Sequence, residues 1–160
     1  MFQEIKDKRY AAYVLPVRIQ NGQKQVAIIE YEPGEYGLVG GRFEDAESDA
    51  REVLRRELAE ELNVGADKIA DMAIEISEPY CFDIAPERWK IRCARSEIHH
   101  IFVAKIPTDM ETSFCEDCSG NVRIVWMDVE SLLDEKVIVW ADEREYFKKH
   151  VMCIIRDMAY

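Results

Sequence analysis

The chain has 160 residues, 48% of them hydrophobic, with 32 acidic against 21 basic side chains and a formal net charge of -11. That length and composition suffice to bury the core of one domain, expected to run over residues 1–160. The charge excludes general nucleic-acid binding, because a phosphate polymer is repelled by most of such a surface, whereas a small nucleotide held through a cation stays compatible. No apolar run approaches the roughly 18 residues of a bilayer span, so no membrane partner is expected. The polar start Met1-Phe2-Gln3-Glu4-Ile5-Lys6 lacks the form of a signal peptide, which makes the cytoplasm the expected location.

In chain order, the pattern predicts strands over Ala11 to Ile19 and Gln25 to Tyr31, joined across Asn21-Gly22, the strongest short hairpin signal. Pro33-Gly34 then breaks the chain, and Gly37 to Gly41 leads into a loop. Asp49 to Leu62 reads as a helix, with Asp49 as N-cap, Glu52 three residues later, and an apolar stripe of Ala50, Val53, Leu54, Leu58 and Leu62. Further strands are expected over Ile69 to Ile76, His99 to Lys105 and Val122 to Asp128. A closing helix is expected over Asp142 to Met158, its core face made by Tyr146, Phe147, Val151, Ile154 and Ile155. This order is α/β, a mixed sheet flanked by helices.

The chemistry concentrates on the helix after Gly40-Gly41. Glu57, Glu60 and Glu61 are spaced i, i+3, i+4 and fall on one helical face. Their mutual repulsion costs only about 0.2–0.5 kcal/mol per pair on a solvated helix, so spacing alone fits a plain charged surface as well. The adjoining glycines shift the balance. They let backbone approach a ligand closely, and a carbonyl there can join carboxylates as an oxygen donor for a hard cation that shares its coordination with phosphates.

Gly41 to Val64 resembles the Nudix box, G-x5-E-x7-R-E-U-x-E-E-x-G-U with U a bulky aliphatic residue. Gly41, Glu47, Arg56, Glu57, Leu58, Glu60, Glu61 and Val64 are the matching positions. Eight residues rather than seven separate Glu47 from Arg56, and Asn63 stands where the pattern has its last glycine. The extra residue is placed around Ala46 to Asp49, where it leaves the phase of the helical glutamates intact. It puts the position of Glu47 relative to Arg56 in question. Asn63 is the milder change, since Asn also ends helices in the left-handed conformation.

The resemblance implies a Nudix-type α/β/α sandwich and a metal-dependent hydrolase that cleaves a phosphoanhydride bond in a nucleoside diphosphate linked to another moiety. It implies Mg²⁺ or Mn²⁺ on Glu57, Glu60, Glu61 and the Gly40 carbonyl, with Arg56 orienting Glu57 and Glu47 supporting that pair. A further acid outside the box is common in the family, and Glu97, Glu111 and Glu116 are the candidates here. Two rival readings share the fold. One is a catalytically silent nucleotide-binding or regulatory module, which intact Glu57, Glu60 and Glu61 argue against. The other is an isomerase of the isopentenyl diphosphate type, which would use Cys81 or Cys93.

Ser77 to Glu97 is the expected substrate-recognition segment. It carries Tyr80, Phe82 and Trp89 with Arg88, Lys90, Arg92 and Arg95 in an otherwise acidic chain. The alternation over Arg88 to Cys93 predicts a strand that buries Trp89, Ile91 and Cys93 and exposes Arg88, Lys90 and Arg92 as a phosphate-binding row, or as a merely solvated face. Arg88, Lys90, Arg92 and Tyr80 are thus the candidate substrate contacts. His99 and His100 point to opposite faces of their strand, where a hydrogen-bonded structural role outweighs that of general base. Cys115-Glu116-Asp117-Cys118 has zinc-knuckle spacing without a second pair, so reduced, incidental thiols are expected. The sequence selects neither the substrate nor between monomer and homodimer.

Overall fold

The computed structural model describes residues 4–61, 65–107 and 123–159, with Glu61 described by its backbone alone. Its centre is an eight-stranded mixed sheet. Strand β1 (Lys6–Gln20) turns at Asn21-Gly22 into β2 (Gln23–Glu32), and the two turn residues have φ of 53° and 75°. Positive φ at both central positions is the two-residue turn whose twist matches a hairpin, which is why Asn-Gly occupies it. After the Pro33-Gly34 turn come β3 (Glu35–Gly37) and β4 (Val39–Arg42). Gly37 to Gly41, expected to lead into a loop, does so largely as strand.

Helix α1 (Ala50–Glu61) begins where Asp49 Oδ1 accepts the Arg51 N–H at 2.9 Å, the N-cap bond its sequence anticipates. Val53, Leu54 and Leu58 are fully buried on its inner face. Burying side chains of that size contributes about 1.5–3 kcal/mol each and fixes the rotation of the helix.

The strand expected over Ile69 to Ile76 is instead helix α2 (Ala66–Met72) followed by the two-residue β5 (Ile74–Glu75). Ile69, Ala70 and Ala73 are the buried positions, a helical spacing, while Asp71 and Met72 face outward. Arg51 completes the helix end by donating Nη1 to the carbonyls of Ala70 and Ala73 at 2.6 and 2.8 Å. That capping partner lies on another element, out of reach of a local pattern.

Strand β6 (Tyr80–Asp83) precedes a 3₁₀ turn (Pro86–Arg88) and the single-turn helix α3 (Trp89–Arg92). This corrects the strand expected over Arg88 to Cys93. Pro86 opens the helical turn with its fixed φ, Trp89 Nε1 donates back to the Ile84 carbonyl at 2.7 Å, and Cys93 ends it at φ 58°. Ile91, expected inside, is 75% exposed.

Strand β7 (Ala94–Lys105) runs parallel to β1 over nearly its whole length, and β8 (Arg123–Asp128) pairs antiparallel with β2. β4 pairs with the middle of β1, β6 and β5 with β7. A 3₁₀ segment (Val129–Leu133) leads to the closing helix, built as α4 (Ala141–Tyr146), a π-helical turn (Phe147–Val151) and α5 (Met152–Arg156). Alternation along the strands sends Ala12, Val14, Ala27, Ile29 and Phe102 against α1 and α2, and Leu15, Val17, Ile28, Ile101 and Val103 against Phe147, Val151, Met152 and Ile155. Helices cover both faces of the sheet, the α/β/α sandwich expected from sequence. No helix among the described residues is long and apolar enough to cross a membrane.

Candidate active site

The acidic helix face and the glycine strand meet at the edge of the sheet. Gly40 has φ +140°, and a Cβ there would lie 2.1 Å from the Ala12 carbonyl oxygen, so only glycine lets β4 close on β1 at this point. Gly41 faces the other way. A Cβ on it would sit 2.3 Å from Glu57 Oε1, which means that the Glu57 carboxylate rests directly on the bare backbone.

Arg56 gathers the surrounding carboxylates. Its Nε and Nη2 donate to the two oxygens of Glu47 at 3.0 and 2.8 Å, Nη1 donates to Glu57 Oε1 at 2.9 Å, and Nη2 also reaches the Arg42 carbonyl at 2.9 Å. Glu44 and Glu60 lie 3.5 and 3.6 Å from Nη1. One guanidinium thus serves four carboxylates, which leaves the cluster strongly negative. The hydrogen bonds from Arg56 hold Glu47 below the usual carboxylate range. Burial pushes Glu57 up, against its bond to Arg56, and the charges of Glu60 and Glu47 push the same way.

The extra residue after Glu47 does not part it from Arg56. Glu44 N donates to Glu47 Oε1 at 2.7 Å and Glu47 N to the Glu44 carbonyl at 2.9 Å, a local turn that aims Glu47 at the helix. The donors around Gly41 are all oxygen, the set a hard divalent cation takes. Among the described residues no three His, Cys, Asp or Glu side chains converge on one metal position. Glu57 and Glu60 are described, while the side chain of Glu61 is not.

On the sheet face that packs against the closing helix lies a cavity of about 370 Å³. Tyr80 and Phe82 of β6, Glu97 and His99 of β7, and Arg88 and Arg92 line it, together with Trp140, Asp142 and Glu143. Three of the four expected substrate contacts therefore come together here. Lys90, the fourth, is exposed and does not line it. Tyr80 is 5% exposed and donates its hydroxyl to Asp142 Oδ2 at 2.8 Å. Trp140 and Glu143 also border a smaller cavity of about 210 Å³ with Tyr36 and Leu38. Burial raises the Glu143 carboxyl above the ordinary range, with nearby His99 opposing and Asp142 reinforcing the rise. Tyr13, beneath His99, is pushed up to about 12 by burial and the Glu97 charge.

His99 sits edge-on to Tyr13 and Phe82 with ring centroids 5.1 and 5.2 Å away, and its Nε2 lies 3.6 Å from Glu97 Oε2. His100, on the opposite face, stacks with Tyr10 and Phe43, its Nδ1 3.2 Å from Glu75 Oε1. Cys81 and Cys93 do not line the cavity of about 370 Å³. Cys115, Cys118, Glu111 and Glu116 lie outside the described residues. Two residues that sequence reasoning passed over are Arg42 and Glu143. The position of Arg42 directly after Gly40-Gly41 was the available signal, whereas nothing local marked Glu143.

An α/β/α sandwich whose glycine strand edge meets an acidic helix face defines the class of nucleotide-processing domain seen in Nudix proteins. The chain belongs to that family: the NUDIX domain model matches residues 8–149. Among solved structures it is similar to a Caenorhabditis elegans Ap4A hydrolase, with 16% identity over 88% of this chain and 94% of that one at a TM-score of 0.54. It is also similar to the Escherichia coli dihydroneopterin triphosphate pyrophosphohydrolase, with 15% identity over 90% and 97% and a TM-score of 0.56. A third is the NUDIX domain of Shewanella oneidensis NrtR complexed with ADP ribose, with 14% identity over 89% and 90% and a TM-score of 0.56. Identities this low establish the shared fold alone. No curated protein matches the chain significantly.

Proposed function

We infer that the chain is a metal-dependent hydrolase of a phosphoanhydride bond in a nucleoside diphosphate linked to another moiety, acting as one unit over residues 1–160. The observation that carries this reading is the single Arg56 guanidinium set among Glu44, Glu47, Glu57 and Glu60 beside a Gly41 whose bare backbone the Glu57 carboxylate overlies. A solvated charged face has no use for a bare backbone under one of its carboxylates. Glu57, Glu60, Glu61 and the Gly40 carbonyl would hold Mg²⁺ or Mn²⁺, which supplies charge neutralisation for the phosphate oxygens.

The chain's own residues do the rest. Arg56 fixes Glu57 through a charge-assisted hydrogen bond, and Glu47, both of whose oxygens are engaged by Arg56, fixes Arg56 in turn. Glu47 is therefore a positioning residue, and the proton of the attacking water passes to another carboxylate of the site. Arg88, Arg92 and Tyr80 line the cavity for the nucleoside side of the substrate. The expected partner is a small nucleotide in the cytoplasm rather than a nucleic acid or a membrane.

A screen of nucleoside triphosphates, nucleotide sugars, dinucleoside polyphosphates, ADP-ribose and NADH with Mg²⁺ or Mn²⁺ tests the reading. The expected products are nucleotide monophosphates or phosphate, formed with the cation and lost in excess EDTA. Full activity in EDTA, a rearranged diphosphate, or unchanged ligand across the panel would each overturn it.

A further inference from the structure

Glu97 is the one charged side chain that is buried among the described residues, at 3% exposure. It enters the sheet from β7, in register with Arg9 of β1, while Arg42 enters from β4, in register with Ala11. Alternation puts both side chains on the cavity face, on either side of β1. Ala11 between them is small, and across it Arg42 Nη2 donates to Glu97 Oε1 at 3.1 Å. Arg42 thus reaches across a central strand toward the cavity wall.

Its backbone is tied to the acidic site. The Arg42 carbonyl accepts from Arg56 Nη2 at 2.9 Å, and the preceding Gly41 underlies the Glu57 carboxylate. Arg42 therefore touches the acidic cluster through its carbonyl and the cavity wall through Glu97, without itself lining the cavity. Among the described residues Glu97 is the only partner of its guanidinium, and the side chain keeps 36% of its surface exposed. A guanidinium has five N–H donors in a planar fork that matches a phosphate, and Glu97 engages one of those on Arg42. A buried carboxylate whose oxygens face Arg42 and His99 holds that fork in one orientation before any ligand arrives.

We propose that Arg42 binds the substrate's phosphate on the nucleoside side of the scissile bond, and that Glu97 is the positioning residue that holds Arg42 there. The assignment rests on the hydrolase reading for which bond is cut, but not for the existence of a phosphate site. It also separates Glu97 from the role of general base. A base would have to take a proton from water with a carboxylate already spent on a guanidinium.

Calorimetric titration of the full chain with ADP, GDP, CDP and UDP in Mg²⁺ tests it without requiring turnover. For the tightest binder, Arg42→Ala should weaken binding at least tenfold and Arg42→Lys by less, because a point charge keeps attraction but loses the fork. Glu97→Gln, which is nearly isosteric, should weaken binding severalfold and, on any hydrolysed substrate, raise KM by more than it lowers kcat. In Arg42→Ala, adding Glu97→Gln should have no further effect on affinity, an outcome that a merely structural Glu97 would not give. Equal affinity of the parent and Arg42→Ala, or no measurable binding of any of the four nucleotides, overturns the proposal. So does a fall in kcat of about 10²-fold or more in Glu97→Gln at unchanged KM, the mark of a lost general base. Arg42-dependent binding without hydrolysis of any compound would uphold this site and sink only the hydrolase reading.

Discussion

Replacing Gly41 with alanine separates the site from the fold. Gly41 lies outside the left-handed region that favours glycine, so its backbone accepts alanine. The new Cβ would stand 2.3 Å from Glu57 Oε1 and 2.4 Å from Cδ, where ordinary contact begins near 3.4 Å. The carboxylate must therefore retreat by about 1 Å, and as the end of a flexible side chain it can do so. Its 2.9 Å bond from Arg56 goes with it. Losing a hydrogen bond between charged groups costs about 1.5–3 kcal/mol, while Gly→Ala at a compatible position returns about 0.4–1 kcal/mol, for a net cost of about 0.5–2.6 kcal/mol. In a chain of this length that is a drop of about 1–10 °C in Tm. Turnover should fall about 10²-fold, the usual consequence of a 1 Å misplacement at a reacting centre. Gly40→Ala is the contrasting variant. Its Cβ would meet the backbone of Ala12 at 2.1 Å and of Tyr13 at 2.8 Å at φ +140°, so it should cost more than about 3 kcal/mol. The assay is a thermal melt beside steady-state kinetics at saturating Mg²⁺, with Gly41→Ala tested alone and in a Glu57→Gln background, where it should do nothing more. A folded Gly41→Ala protein with parental turnover would refute the placement of Glu57 in the site.

Glu60→Gln should lower turnover by about 10²-fold and leave Tm within about 2 °C, while Glu52→Gln, which removes only a partner of Arg55 on the same helix, should leave both alone; equal turnover for the two would reduce the acidic face to a solvated one. Because burial raises the Glu143 carboxyl, the folded state holds its proton more tightly than the unfolded chain, so the stabilisation is present below the ordinary carboxylate range and is lost as pH rises through the raised value. Glu143→Gln should accordingly raise Tm near about pH 8, with the gain vanishing near about pH 4, and a gain that is constant across that range would contradict this. Arg51→Ala strips the Ala70 and Ala73 carbonyls of their donor and should cost about 2 kcal/mol in denaturant unfolding, with kcat unchanged; a loss below about 0.5 kcal/mol would show water replacing the guanidinium without penalty.

How much of the fold is legible in the sequence depends on the range over which each interaction acts. The β1–β2 hairpin and the cap, stripe and acidic face of α1 are set by residues within a few positions of one another, and all are readable in Asn21-Gly22 and in Asp49 to Glu61. The α2 segment reads as a strand because its helix is completed by Arg51, 19 and 22 residues before the carbonyls it caps. Alternation over Arg88 to Cys93 misleads because no neighbouring strand pairs with it among the described residues. Without a ladder, Pro86 and the bond of Trp89 to Ile84 decide the local geometry. The Arg42–Glu97 contact joins residues 55 apart through a register that only the assembled sheet defines.

The box itself shows the same division within one motif. Its helical half tolerates no change of length, since one added residue turns every later side chain by about 100° and would carry Glu60 and Glu61 off the face shared with Glu57. Its loop half answers to a different constraint. Glu47 needs only to present its carboxylate to Arg56, and the mutual hydrogen bonds between Glu44 and Glu47 aim it there whatever the length of the loop between Glu47 and the helix. Between Glu47 and the start of α1 at Ala50 the chain is a surface loop, and lengthening such a loop by one residue costs little entropy. Spacing in the pattern is therefore informative where residues share a helix. Where they meet through a turn, the contact of Arg56 with both oxygens of Glu47 is the constraint, and the count of intervening residues is not.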